Sequence, residues 1–173
     1  MEELLLSTFI GLVSGVVSSL IFLWALSLMR PDITISGELC KSSDAAGPFY
    51  AFKIINNSRF HALDLKAELI LNTPFNSPGG SNHSCEWIHL TKDGLLQFPR
   101  YRKNDTKADY ALILGTRIDL DALWNSTAQY LEVKIYAKHS FSGIYKSFNQ
   151  KYYTKQSSIQ SGMYNFGKTF RIS

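Results

Sequence analysis

The chain of 173 residues holds only two cysteines, Cys40 and Cys85, and five prolines. Two cysteines exclude a disulfide framework and leave at most one bridge, which requires an oxidising compartment. No G-x-x-x-x-G-K-S/T, G-x-G-x-x-G or G-x-S-x-G pattern occurs, which leaves out the P-loop, the dinucleotide-binding turn and the hydrolase nucleophile elbow. His139, Ser140 and Ser142 are close in sequence but have no such elbow around them. No nucleophile and base are paired by any motif, so the chain reads as a non-enzyme. His83, Cys85 and His89 lie at even spacing. On one strand they would spread over roughly 20 Å, too far for one metal ion. Cys85 and Trp87 are therefore expected in the core, with the histidines near its edge. No metal and no cofactor is expected. Asp119 and Asp121 precede a short turn and read as its cap.

Charge is absent altogether from Leu4 to Met29. As a helix that stretch is roughly 39 Å long, more than the ~30 Å hydrocarbon core of a bilayer requires. It reads as a transmembrane anchor over residues 1–30. A cleaved signal peptide is disfavoured, because the apolar run is too long and is preceded by Glu2 and Glu3 in place of Lys or Arg. On a helical wheel Ser7, Gly11, Ser14, Gly15 and Ser18 share an arc about 100° wide, opposite Leu5, Phe9, Leu12, Val16 and Leu20. Small residues let a second backbone approach, so this face predicts helix–helix packing and a homo-oligomer. Arg30 follows the run. The positive-inside rule then favours a cytoplasmic side for the rest of the chain, with Trp24 near that interface, and the expected location is an inner (plasma) membrane. Four N-x-S/T sequons, at Asn56, Asn82, Asn104 and Asn125, weigh the other way.

Residues 31–173 are enough for one domain with a sizeable core. Pro31 ends the helix. Period-two alternation follows at Ile33 and Ile35 and again from Leu63 to Leu71, and Phe49 to Ile55 is a mostly apolar strand broken by Lys53. Asn72 to Ser84, with Pro74, Pro78, Gly79 and Gly80, reads as a break. Further strands are expected at Cys85–Leu90, Leu95–Phe98, Tyr110–Leu114, Tyr130–Lys138, Gly143–Tyr152 and Lys168–Ile172, with one helical turn at Asp119–Trp124. The fold class is therefore an all-β soluble domain, an antiparallel β-sandwich or small barrel, behind a single N-terminal α-helix.

The net charge of +4 is unevenly distributed. Residues 1–99 carry six Lys/Arg and nine Asp/Glu, whereas residues 100–173 carry twelve and five. After Asp121 the only acid is Glu132. Aromatic residues lie among these bases: Arg100, Tyr101, Arg102 and Lys103 in one run, then Lys134, Tyr136 and Lys138 on one strand, then Lys146, Phe148 and Lys151 on the next. If the last two strands pair, they build a basic-aromatic face. Cations neutralise phosphates and rings stack on bases, so the expected ligand is a nucleotide, a cyclic oligonucleotide or a short single strand. Two other readings compete: contact with anionic lipid at the membrane surface, and a plain solvated face, since lysines and tyrosines are ordinary on exposed strands.

The anchor Leu4–Met29, its small-residue face and the β-domain from Asp32 with its basic-aromatic half resemble the layout of small membrane effectors of bacterial anti-phage defence, of the CBASS and Hailong kinds. The resemblance covers the whole chain at the level of architecture. It implies an oligomeric effector whose soluble domains bind a nucleotide-type signal and control membrane permeabilisation or a channel. Two other readings stand beside it. One is an extracytoplasmic binding module on a signal anchor, which predicts a Cys40–Cys85 bridge. The other is an accessory or scaffold subunit of a membrane complex.

Overall fold

A computed structural model describes the backbone of residues 1–173 and every side chain except those of Glu2 and Leu4, which the sequence reading above had used. Helix α1 runs Glu2–Leu28. Its segment Leu5–Leu28 has a mean hydropathy of 2.2 and is long and apolar enough to cross a membrane. Arg30 Nε donates to the Ser27 carbonyl at 2.6 Å and closes the last turn. A Cβ placed on Gly11 or Gly15 would meet nothing within 4 Å, so within one chain nothing crowds these two positions.

Ten strands and two single-turn helices follow: β1 (Ile33–Ile35), β2 (Leu39–Asp44), β3 (Gly47–Asn56), β4 (Ala62–Ser77), β5 (Gly80–Ile88), β6 (Gly94–Phe98), β7 (Ala111–Thr116), α2 (Leu120–Leu123), β8 (Tyr130–His139), β9 (Tyr145–Tyr152), α3 (Lys155–Ser158) and β10 (Ile159–Ser161). They form two five-stranded sheets. One has the order β1-β3-β2-β10 with β7 also on β3; the other has β5-β4-β8-β9 with β6 also on β4. The inward rows of both sheets meet in one apolar core, with Tyr50, Phe52 and Ile54 from β3, Leu65, Leu69 and Leu71 from β4, and Leu131, Val133 and Ile135 from β8. All pairings are antiparallel except β10 on β2, which is parallel.

Strand β3 is apolar on both faces because both faces are covered. Ala51 packs with Cys40 and Tyr164 on the outer side, and Ile55 with Ala108 and Tyr110. The interrupting Lys53 points into this outer layer. Its ammonium donates to the carbonyls of Asn165 and Thr169 at 2.6 and 2.9 Å, and burial pushes its pKa down.

Three expectations are corrected. The stretch Asn72–Ser84 is not a break: β4 continues through Pro74 to Ser77, and Ser77 pairs with Gly80 across a two-residue turn at Pro78 and Gly79. The pairing of β4 with β8 ends at Asn72. Beyond it one edge of β4 is free, and a free edge tolerates a proline. Cys85 and Trp87 are not in the core. They lie on the outward row of β5, and Trp87 is 67% exposed. Lys168–Ile172 is not a strand; it contributes the single bridge Tyr164–Ile172. Cys40 is buried under Tyr164 while Cys85 is exposed on the other sheet, and both are free thiols, so the bridge predicted by the extracytoplasmic reading is not formed.

Candidate functional site

The two ends of the β-domain differ. Strand β1 begins just after α1, and Asn57 N–H donates to the Asp32 carbonyl at 2.8 Å, so the β3–β4 connection lies at the helix-side end. The turn between β8 and β9 reaches the same end: the Ser142 hydroxyl donates to the Met29 carbonyl at 2.6 Å. The segment after β6 joins them, with Tyr101 N–H donating to the Ser58 carbonyl at 3.0 Å and Asn56 Nδ2 donating to the Pro99 carbonyl at 3.0 Å.

Against this end lies a cavity of about 540 Å³ whose lining includes His61, Arg100, Arg102 and Lys107. That volume falls within the range of small-molecule sites. Asp105 and Asp109 line it too, but the Asp105 carboxylate accepts from the backbone N–H groups of Lys107 and Asp109 at 3.0 and 3.2 Å and so belongs to the loop's own fold. Among the described residues Arg100, Arg102, Lys103 and Lys107 make no ion pair. The cavity is wired to α1 by two hydrogen bonds. The His61 carbonyl accepts from Ser140 N–H at 3.2 Å, and two residues on Ser142 holds Met29. His139 completes the junction. Its Nδ1 lies 3.1 Å from both the amide nitrogen and the hydroxyl of Ser142, and burial pushes its pKa down, which keeps the ring neutral and Nδ1 an acceptor.

The residues singled out in the sequence fall into three groups. Arg100 and Arg102 line the cavity, and Lys103 is exposed on the same loop. Tyr101 is no platform for a base. Its ring packs edge-on against Tyr110 at 4.9 Å and under Lys168 at 4.3 Å. The pair β8–β9 forms as expected, yet its register divides the basic-aromatic set. Lys134, Tyr136 and Lys138 face outward with Tyr145 and Lys151, whereas Lys146 and Phe148 pair with Ala137 and Ile135 on the core-side row. The single face expected from both strands is therefore corrected to two. Each face also supplies its own partners: Lys138 sits over Tyr145 at 5.6 Å, Lys146 over Phe148 at 4.6 Å and Lys151 over Tyr130 at 5.2 Å. Lys134 lies 3.8 Å from the Glu132 carboxylate. The cavity's His61 escaped sequence reading, because nothing in a lone His beside Phe60 marks it; the nearby basic run was the only signal.

At the far end, the Tyr50 hydroxyl lies 2.9 Å from Asp119 Oδ1 and 2.8 Å from Asp121 Oδ2. Lys41 and Lys155 both pair with Asp121. The Lys41 ammonium holds the Asp121 carboxyl down at about 2, while burial pushes the Tyr50 phenol up. Asp119 caps α2 by accepting from Asp121 N–H at 2.9 Å, as its position suggested. Every charge here has a partner inside the protein, so this cluster holds α2 and α3 in place. Among the described residues no three His, Cys, Asp or Glu side chains come together as a metal site. No family model matches the chain, and no curated protein matches it.

Proposed function

We propose that this chain is a single-pass membrane protein whose β-domain is a non-enzymatic sensor for an anionic, nucleotide-type ligand. The observation that carries the reading is the cavity of about 540 Å³ between His61, Arg100, Arg102 and Lys107, two hydrogen bonds away from the last turn of α1. Unpaired guanidinium groups suit phosphate because they donate in a fixed planar fork. A ligand drawing the Arg100–Lys107 loop inward displaces His61 and, through Ser140 and Ser142, the end of the helix. It favours whichever arrangement of helices binds it better, which is a population shift. In this reading the β-sandwich is cytosolic, the helices assemble through the Gly11/Gly15 face, and the assembled form permeabilises the membrane, as in the anti-phage effectors the layout resembles.

Calorimetric titration of the full chain in lipid nanodiscs with mono-, di- and cyclic nucleotides tests the binding. The expected result is saturable binding of at least one of them, weakened at least tenfold by Arg102→Glu with Lys107→Glu, a loss of ~1.4 kcal/mol. Absence of binding across the panel, or binding that the double variant leaves intact, overturns the site. Crosslinking of the chain in membranes tests assembly separately. Gly11→Ile with Gly15→Ile is expected to abolish the oligomer, and because a Cβ at either position meets nothing within 4 Å in the single chain, the readout is packing between helices.

A further inference from the structure

Beyond ligand binding, the helix-side end of the β-domain carries an apolar feature that the domain's own packing does not use. Phe60, in the β3–β4 connection, is 43% exposed, and Phe141, in the β8–β9 turn, is 67% exposed. Their ring centroids are 6.3 Å apart, and Phe60 also meets His139 edge-on at 4.8 Å. The two rings thus form one patch held on a buried histidine. Arg59 is exposed next to Phe60 and makes no ion pair among the described residues.

The position of this patch along the membrane normal follows from α1. Trp24 is 65% exposed on the helix surface, and such tryptophans settle at the membrane–water interface. Met29 is five residues further on, a rise of about 7.5 Å. The headgroup layer on each side of a bilayer is itself ~5–8 Å deep. The Ser142 hydroxyl is bonded to the Met29 carbonyl at 2.6 Å, so the turn that carries Phe141 is fixed at headgroup depth. Aromatic rings are stable at that depth, and cations around them gain from anionic lipid.

We propose that this end of the β-domain is a second membrane contact: Phe60 and Phe141 enter the headgroup layer, and Arg59 pairs with lipid phosphate beside them. The occupant is the bilayer surface itself. The domain is then held at two places, the covalent link to α1 and this aromatic patch, and its tilt over the membrane is fixed. The inference rests on α1 spanning the membrane and is independent of what the cavity binds.

The test uses the full chain in phosphatidylcholine vesicles with a third of the lipid as phosphatidylglycerol, with no nucleotide present. In a Cys85→Ser background a polarity-sensitive fluorophore is attached at Ser140→Cys, which leaves both rings in place, and separately at Gly79→Cys in the far turn. Lipids carrying a nitroxide at the headgroup are the quencher. Quenching at position 140 is expected to exceed that at 79 several-fold, with blue-shifted emission at 140 alone. Phe60→Ser with Phe141→Ser is expected to bring 140 down towards the level of 79. Arg59→Glu is expected to reduce quenching in the anionic vesicles and leave it unchanged in pure phosphatidylcholine. Equal quenching at the two positions, or a signal at 140 indifferent to the Phe substitutions, overturns the contact. Resistance of the unlabelled chain to alkaline carbonate extraction from the same vesicles reports insertion of α1, because a surface contact alone is stripped at high pH, so a failed anchor is distinguished from a failed contact.

Discussion

At the far end of the β-domain Lys41, Asp44, Arg117, Asp121 and Lys155 all sit in ion pairs, whereas at the helix-side end Arg59, Arg100, Arg102, Lys103 and Lys107 sit in none among the described residues. Both ends are loops and single turns hung on the same two sheets, so the contrast does not come from the scaffold. Paired charge organises a loop from within the molecule. At the helix-side end the loop is organised by its backbone instead, with the Asp105 carboxylate accepting from the N–H groups of Lys107 and Asp109, and the cations around it stay exposed. Unpaired cations collected at one end suit a phosphate-bearing partner, whether ligand or membrane.

The sharpest way to break this contrast is Asp121→Ala. It strips acceptors from the buried Tyr50 hydroxyl and from two ammonium groups at once, and is expected to destabilise the domain by about 2 kcal/mol. Thermal or urea unfolding measures it; a loss no larger than that of a surface substitution would mean the far-end network is ornamental.

Acid separates the ends by pH. The folded state depresses the pKa of His139, so the unfolded state takes up a proton first and stability falls as pH drops below the ordinary histidine value of about 6.5. Protonated Nδ1 no longer accepts from Ser142, and the junction with Met29 loosens. Asp121, held at about 2, stays ionised and keeps its network down to about that pH, and its contribution to stability declines only as the pH falls from about 4 towards 2. Lowering the pH from neutral is therefore expected to move the amide NMR shifts at Ser140–Gly143 first, at some pH below the ordinary histidine value, before those around Tyr50 and Asp121. Simultaneous movement would erase the distinction. The smallest effect is expected from Arg102→Ala, within about 0.5 kcal/mol in unfolding, because that guanidinium is exposed and makes no ion pair among the described residues. A larger loss would show that the helix-side cations are structural after all.

Much of this layout was legible in the sequence, and the limits have physical causes. The strand expected at Tyr130–Lys138 forms as β8, because Leu131, Val133, Ile135 and Ala137 make an uninterrupted apolar row, and that row is buried. Parity also separates Lys146 and Phe148 from Lys151, but it does not say which row meets the core. For β5 that ambiguity placed Trp87 inside when it lies outside. Strand β2, Leu-Cys-Lys-Ser-Ser-Asp, carries apolar residues only at its start, and β10 is three residues long, so neither has a period to read. Pro74 disguised the outer half of β4. The basic run at 100–103 lies on the loop that lines the cavity, while the link from that cavity to Met29 depends on a serine hydroxyl that no local pattern distinguishes from any other.

The outer layer over β3 has a consequence for how the chain is made. The carbonyl of Asn165 that receives the Lys53 ammonium lies 112 residues further along. At ~5–20 residues per second, roughly 6–22 s of synthesis separate the lysine from its acceptor. Throughout that interval the outer side of β3 around Ala51 and Lys53 lacks its cover, while Ile55 is covered earlier, once Ala108 and Tyr110 are made. Closure of that part of the outer layer is thus timed by the arrival of residues 164–172, and a pause or truncation in that stretch would leave Ala51 and Lys53 uncovered.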